Sequence, residues 1–284
     1  MNVKKLIQRH PVVTYFSLVY LISYGGFLVL VGPKLLAGKA MQATDAFLLF
    51  PVIVVGVCLV GIALTGITGG RSGLRDLFSR MGRWRVGVGW YAALLIPPGL
   101  ILVVLLLMRT LVSPVFVPNL FLLGIVFGLF PGFFEEVGWT GFAFPKMRVK
   151  LGALGAGVLL GVLWGLWHAP VVDYLGAAAP HGMYWLPFLL AFIAILTAMR
   201  VLIAWVYSNT NSVLLAQLMH ASSTGFLVIL GPAHVSPAQE VLWYALYAAV
   251  LWMVVALVIV RYGTRLLRHP MQGKAAQTAL TSRV

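Results

Sequence analysis

Two adjacent carboxylates, Glu135 and Glu136, stand inside the apolar stretch FGLFPGFFEEVGWTGFAFP at residues 127–145. Two histidines, His168 and His220, lie in or at the end of apolar runs further along. Two glutamates and two histidines on separate hydrophobic segments are the side chains that move protons, activate water or hold a metal ion. Their placement is costly. A charged side chain near the centre of a membrane span costs at least about 2.5–3.5 kcal/mol. Neighbouring like charges add to this, because joint ionisation is disfavoured. Such a pair persists only where it faces a polar cavity or finds partners. Asp45, Asp76, Asp173 and Glu240 fall in loops or at span ends, and His10, His181, His234 and His269 in termini or loops. A lone histidine in a membrane is often only an interhelical hydrogen-bonder; the joint pattern is what points to chemistry.

Spacing on the helices supports a common site. Glu136 and Thr140, Trp164 and His168, and His220 and Thr224 are each separated by four residues and share a helix face. Glu135 and Glu136 point about 100° apart around a helix. One is therefore expected to do chemistry and the other to support it.

The elements that must carry these residues follow from composition. Of 284 residues, 61% are hydrophobic and 9% charged, against about 25% charged in a soluble domain. The solvent is mostly lipid. The net charge of +14 then reads as basic loops held at a cytoplasmic membrane face, not as a nucleic-acid footprint. The single Cys58 excludes an intrachain disulfide. The basic start MNVKKLIQRH precedes an apolar run long enough to span, without a small-residue cleavage site, so no signal peptide is expected. Eight spans are read: Val12–Val31, Ala46–Ile67, Val88–Met108 with a kink at Pro97 and Pro98, Leu120–Phe144, Ala153–His168, Tyr184–Tyr207, Ser212–Leu230 and Val241–Val260. Backbone groups in lipid must be satisfied within the segment, so the spans are helices. The expected fold is all-α, a polytopic integral membrane bundle of about eight transmembrane helices. Residues 1–261 form one transmembrane domain, followed by a basic, disordered tail at 262–284.

Lysine and arginine set the orientation. One side holds Lys4, Lys5 and Arg9, then Arg71, Arg75, Arg80, Arg83 and Arg85, then Lys146, Arg148 and Lys150, then Arg261, Arg265, Arg268, Lys274 and Arg283, sixteen in all. The other holds three, Lys34, Lys39 and Arg109. Both termini are therefore placed in the cytoplasm, with the protein in the plasma membrane. Arg200 falls inside the sixth span and reads as snorkelling or paired. The stretch GLRDLFSRMGRWRVG at 73–87 reads as a topology anchor, or as an interfacial helix with Leu74, Leu77 and Phe78 in the lipid. Glu135 and His168 each lie about 16 residues from the turn near Lys150, roughly 24 Å at helical rise, so they can meet across a hairpin. His220 is only nine residues beyond Asn211, which calls for an offset helix or a recessed turn.

At these residues the chain resembles the CAAX protease and bacteriocin-processing family of intramembrane proteases, also called the Abi family. Its first motif is two glutamates, three residues and an arginine, then a Gly-aromatic pair and a proline; here it reads EEVGWTGFAFP, Glu135 to Pro145. The second, an aromatic residue, three residues and a histidine, is WGLWH, Trp164 to His168. The third, a histidine, three residues and an asparagine, is HASST, His220 to Thr224. The resemblance covers residues 75–230 or so. Two positions depart from it: Thr140 stands for the arginine and Thr224 for the asparagine. The family arginine pairs with the second glutamate, so Glu136 is expected to be protonated or paired elsewhere, and Thr140→Arg to restore the partner.

The resemblance implies an intramembrane endopeptidase acting on a membrane-associated peptide or protein, lipidated ones included. Glu135 would be the general base, Glu136 its support, His168 a proton relay, and His220 with Thr224 the oxyanion donors. No cofactor is required. A zinc ion on Glu135, His168 and His220 is the alternative, disfavoured by the absence of HExxH-like spacing. Two other classes compete: an ion-coupled transporter, although no internal symmetry is visible, and an inactive scaffold. Under the enzyme reading Glu135, His168 and His220 converge on one water-filled cavity.

Overall fold

The computed structural model describes residues 3–39 and 43–267; the tail segment 268–284, expected to be disordered, lies outside the described residues. Ten α-helices make up the described chain: α1 (Val3–Arg9), α2 (Pro11–Leu30), α3 (Gly32–Leu36), α4 (Ala43–Met81), α5 (Ile96–Leu111), α6 (Gly124–Gly138), α7 (Phe144–Trp167), α8 (Trp185–Thr210), α9 (Val213–Leu230) and α10 (Pro237–Tyr262). Among the described residues the only β feature is an isolated bridge between Pro118 and Pro232.

Seven helical runs are long and apolar enough to cross a membrane, the longest being Gly124–Trp167. That run is not one rod. Trp164 Nε1 lies 2.9 Å from Glu135 Oε2, yet 29 residues of straight helix would separate them by roughly 43 Å. The chain reverses at Gly152, whose φ of 69° and ψ of 174° leave the helical region. The fourth and fifth spans read from the sequence are thus the two arms of one hairpin, which reconciles seven runs with about eight passes. α4 turns similarly at Gly70 (φ 61°, ψ −154°). Its short second arm packs on protein. Leu77 is buried in a cluster with Cys58 and Val137, and Arg80 reaches inward to the Tyr207 hydroxyl (2.8 Å) and the Gly141 carbonyl (3.2 Å). An interfacial helix with Leu77 in lipid is corrected accordingly; Phe78 alone of that trio is largely exposed. Pro97 and Pro98, where the sequence predicts a kink, stand where the span changes from 3₁₀ to α-helix. These residues start α5, after a 3₁₀ turn at Val88–Leu95, where a missing proline N–H costs no helical hydrogen bond.

Two glycine ladders bring the site-bearing helices together. On α6, Gly124, Gly128 and Gly132 face α9; a Cβ at Gly128 would sit 2.4 Å from the Ala221 carbonyl and 2.7 Å from Gly225 Cα. On α7, Gly157, Gly161 and Gly165 face α8; a Cβ at Gly161 would sit 2.5 Å from Thr197 Cα. Small residues at four-residue spacing let helix backbones approach closely in a membrane, where lipid supplies no hydrophobic drive between helices. Outward-facing Leu102, Val103, Leu106 and Leu107 of α5 are exposed, as a lipid-facing stripe requires.

Backbone and side-chain hydrogen bonds also define the two ends of the bundle. At one end Leu154 N–H donates to the Thr264 carbonyl, Asn209 Nδ2 to the Leu266 carbonyl, and Ser212 Oγ to the Arg83 carbonyl. At the other, Asn119 N–H donates to the Gly231 carbonyl and Leu120 N–H to the Ile229 carbonyl. The turn at Asn211, in the left-handed region, is recessed: Ser212 is fully buried and caps α9 by accepting from Leu215 N–H. That recess brings His220 to the depth of Glu135.

Candidate active site

The last turn of α6 carries Glu135 and Glu136, and a π-helical turn at Trp139–Ala143 follows it. Single π turns recur at functional sites. Both carboxylates are buried, at 2% and 0% exposure, but their surroundings differ.

Glu136 is saturated. Arg200 of α8 grips it with both guanidinium nitrogens, Nη1 to Oε2 at 2.7 Å and Nη2 to Oε1 at 2.8 Å. His220 Nδ1 of α9 is 2.8 Å from Oε1, and the Thr140 hydroxyl donates to Oε2. Each oxygen therefore accepts two hydrogen bonds, filling the four sites a carboxylate offers. The fork-shaped guanidinium suits this bidentate contact. Of the two outcomes expected for Glu136, the structure has the second: the motif arginine absent at 140 is replaced by a guanidinium sixty residues away. Thr140 lies 3.4 Å from Arg200 Nη1, between the two.

Glu135 meets no cation among the described residues. Its Oε2 accepts from two indoles, Trp139 Nε1 at 3.0 Å and Trp164 Nε1 at 2.9 Å. Its Oε1 takes no protein hydrogen bond among the described residues, and Glu135 lines a cavity of about 440 Å³. His168, His220 and Thr224 line the same cavity; Glu136 does not. The five residues singled out in the sequence thus divide into four on the cavity wall and one behind it.

Trp164 links them. Its Nε1 donates to Glu135, and its carbonyl lies 2.9 Å from His168 Nδ1. Its ring meets the His220 ring edge-on at 4.8 Å. The Arg200 guanidinium carbon stacks 4.4 Å above it. Since a carbonyl only accepts, His168 Nδ1 carries a proton and Nε2 of the neutral ring is left as an acceptor. Glu136 holds the His220 ring by Nδ1 and leaves Nε2 as its remaining polar atom. The arrangement can take a proton from a bound water at Glu135 or His168 and present His220 and Thr224 to a developing negative charge.

Trp139 and Trp164 were not assigned roles from sequence, since aromatic residues in spans are ordinary. Arg200 carried a usable signal: a lone arginine inside a span needs a counter-charge, and Glu135 and Glu136 are the available ones. A second polar cluster joins Glu240 and His181, which the sequence places at a span end and in a loop without linking them. Glu240 is 2% exposed and His181 1% exposed. Glu240 accepts from Ala177 N–H at 2.7 Å and Ala178 N–H at 2.8 Å, and lies 3.2 Å from His181 Nε2. It fastens the 168–184 loop to the start of α10, and Gly176, Ala177 and Glu240 all line the cavity. Among the described residues no three His, Cys, Asp or Glu gather as metal ligands.

The fold and the site define a helical integral membrane protein with a buried Glu/His/Trp cavity. Residues 117–226, which hold all three motifs, match the family model described as type II CAAX prenyl endopeptidase Rce1-like. A relative named CAAX prenyl protease 2, from Methanococcus maripaludis, is 32% identical over 110 residues, 37% of this chain and 38% of that protein. The family-model match falls on the segment that carries the three motifs. The alignment spans well under half the length of the relative.

Proposed function

We propose that the chain is an intramembrane endopeptidase of the CAAX-processing or bacteriocin-processing type, with both termini in the cytoplasm. The observation that carries this reading is the convergence of Glu135, His168, His220 and Thr224 on one cavity, within the segment similar to type II CAAX prenyl endopeptidases. Glu135 takes a proton from water as the water oxygen bonds to the peptide carbonyl carbon. The C=O π electrons move onto oxygen, to which the Thr224 hydroxyl donates, joined by His220 Nε2 when both nitrogens of that ring carry protons. The C–N bond then breaks, and the leaving amine takes the proton back from Glu135, with His168 Nε2 as the relay. Thr224 offers one hydroxyl donor where the family asparagine offers an amide. No covalent enzyme intermediate is required.

The reading needs no metal. Glu135, His168 and His220 do not gather as a metal-binding group among the described residues, so no step is routed through a zinc ion. The substrate is a membrane-associated peptide or protein. The test is a proteomic comparison of membranes expressing wild type and Glu135→Ala at equal level. Precursors that accumulate only with the variant support hydrolysis and name substrates; identical cleavage products in both refute it.

A further inference from the structure

We propose that the cavity is served from the non-cytoplasmic face of the membrane, and that its substrate is a peptide segment exposed there, on an exported or membrane-anchored chain. The substrate half of this rests on the hydrolytic reading above; the direction of access does not.

The rim of the cavity is built from one end of the bundle. Asn119 belongs to the loop before α6, Leu175, Gly176 and Ala177 to the loop before α8, and Gly231 and Pro232 to the turn before α10. These segments are joined to one another or to the helices at that end, Asn119 to Gly231 and Ala177 to Glu240. The turns of the opposite end, at Gly70, Gly152 and Asn211, contribute no residue to the cavity wall.

The two ends are not equivalent in charge. Among the described residues the end away from the cavity carries thirteen of seventeen lysines and arginines, and residues 112–123, 168–184 and 231–236 contain none. Lysine and arginine in short loops stay in the cytoplasm, and a bias of this size fixes orientation. The inward reach of Arg80 removes one charge from that count without changing its direction. A cytoplasmic peptide would meet the closed, basic end. A peptide on the far side would meet a rim free of lysine and arginine, with Glu240 held in its wall, and then a chamber walled by Phe50, Trp167, Phe192 and Trp243. That lining fits an extended segment with apolar side chains beside the scissile bond.

The test reads topology without reading hydrolysis. In a Cys58→Ser background, Ala177→Cys and Met183→Cys report the rim end, and Val149→Cys, at a position 82% exposed, the basic end. Sealed right-side-out membrane vesicles are treated with a charged, impermeant maleimide before and after permeabilisation. The expected result is labelling of Ala177→Cys and Met183→Cys before permeabilisation, and of Val149→Cys only after. The reverse pattern, or equal labelling of both ends in sealed vesicles, overturns the proposal. In a second arm, a peptide precursor identified from the Glu135→Ala membranes is added outside sealed vesicles. Cleavage by wild type and not by Glu135→Gln supports the substrate class. Cleavage only after permeabilisation overturns it, and no cleavage on either side removes the hydrolytic reading while the labelling result stands.

Discussion

The two faces of the last turn of α6 solve the same problem in opposite ways. Behind the helix, Glu136 sits in a closed polar cluster where Arg200, His220 and Thr140 fill every acceptor site. In front, Glu135 faces a cavity with two indole donors on one oxygen and no cation. Adjacent residues of identical chemistry thus become a fixed anchor and a carboxylate with one oxygen open to the cavity. The roughly 100° between successive helix positions sends one toward α8 and α9 and the other toward the open chamber. A saturated carboxylate cannot accept a further proton donor without losing a bond; an undersaturated one can hold water.

The largest expected effect is on the cavity side. Glu135→Gln keeps the size of the side chain but removes the base. Hydrolysis should fall by roughly 10²–10⁴-fold, with the melting temperature nearly unchanged, as checked by peptide cleavage beside a thermal unfolding curve in detergent. Retained activity would refute the general-base assignment.

On the closed side the expected damage is to stability. Arg200→Met leaves Glu136 buried without its cation, a loss of about 3–5 kcal/mol. Pairing it with Glu136→Gln should recover part of this, because the orphaned charge is gone. If the double variant melts as low as Arg200→Met alone, the ion pair is not what holds the cluster.

Thr140 sharpens the comparison further. On sequence alone Thr140→Arg restores the family partner of Glu136 and should be tolerated. Since Arg200 already fills that role and Thr140 is 2% exposed, the single variant should instead destabilise, by crowding a second guanidinium into a closed pocket. The swap Thr140→Arg with Arg200→Thr should be more stable than Arg200→Thr alone. Relative melting temperatures of the three variants decide whether the arginine has moved or merely been added.

The smallest effect is expected at the far wall. Glu240→Gln replaces one acceptor of the Ala177 and Ala178 N–H groups with a donor and should cost about 1 kcal/mol. Hydrogen exchange should quicken in the 168–184 loop and not around Glu136. Equal quickening at both sites would mean that the two regions are one coupled unit.

Much of the protein was legible in its residues. Apolar runs of span length, the sixteen-to-three bias of basic residues and the isolation of Glu135 and Glu136 follow from transfer energetics, which act on each segment alone. Spacing on single helices, such as Trp164 to His168, depends only on helix geometry and was equally readable. What the tertiary structure decided is everything that needs two helices at a known distance and rotation. Arg200 faces Glu136 because the glycine ladder of α7 draws α8 close, and His220 does so because α6 and α9 touch along Gly124, Gly128 and Gly132. The wall on which Glu135 opens, the depth of the Asn211 turn and the grip of Glu240 on the rim belong to the same class. Packing in lipid is selected by shape and hydrogen bonding between surfaces that are almost uniformly apolar, so one-dimensional hydropathy names the helices without naming their neighbours.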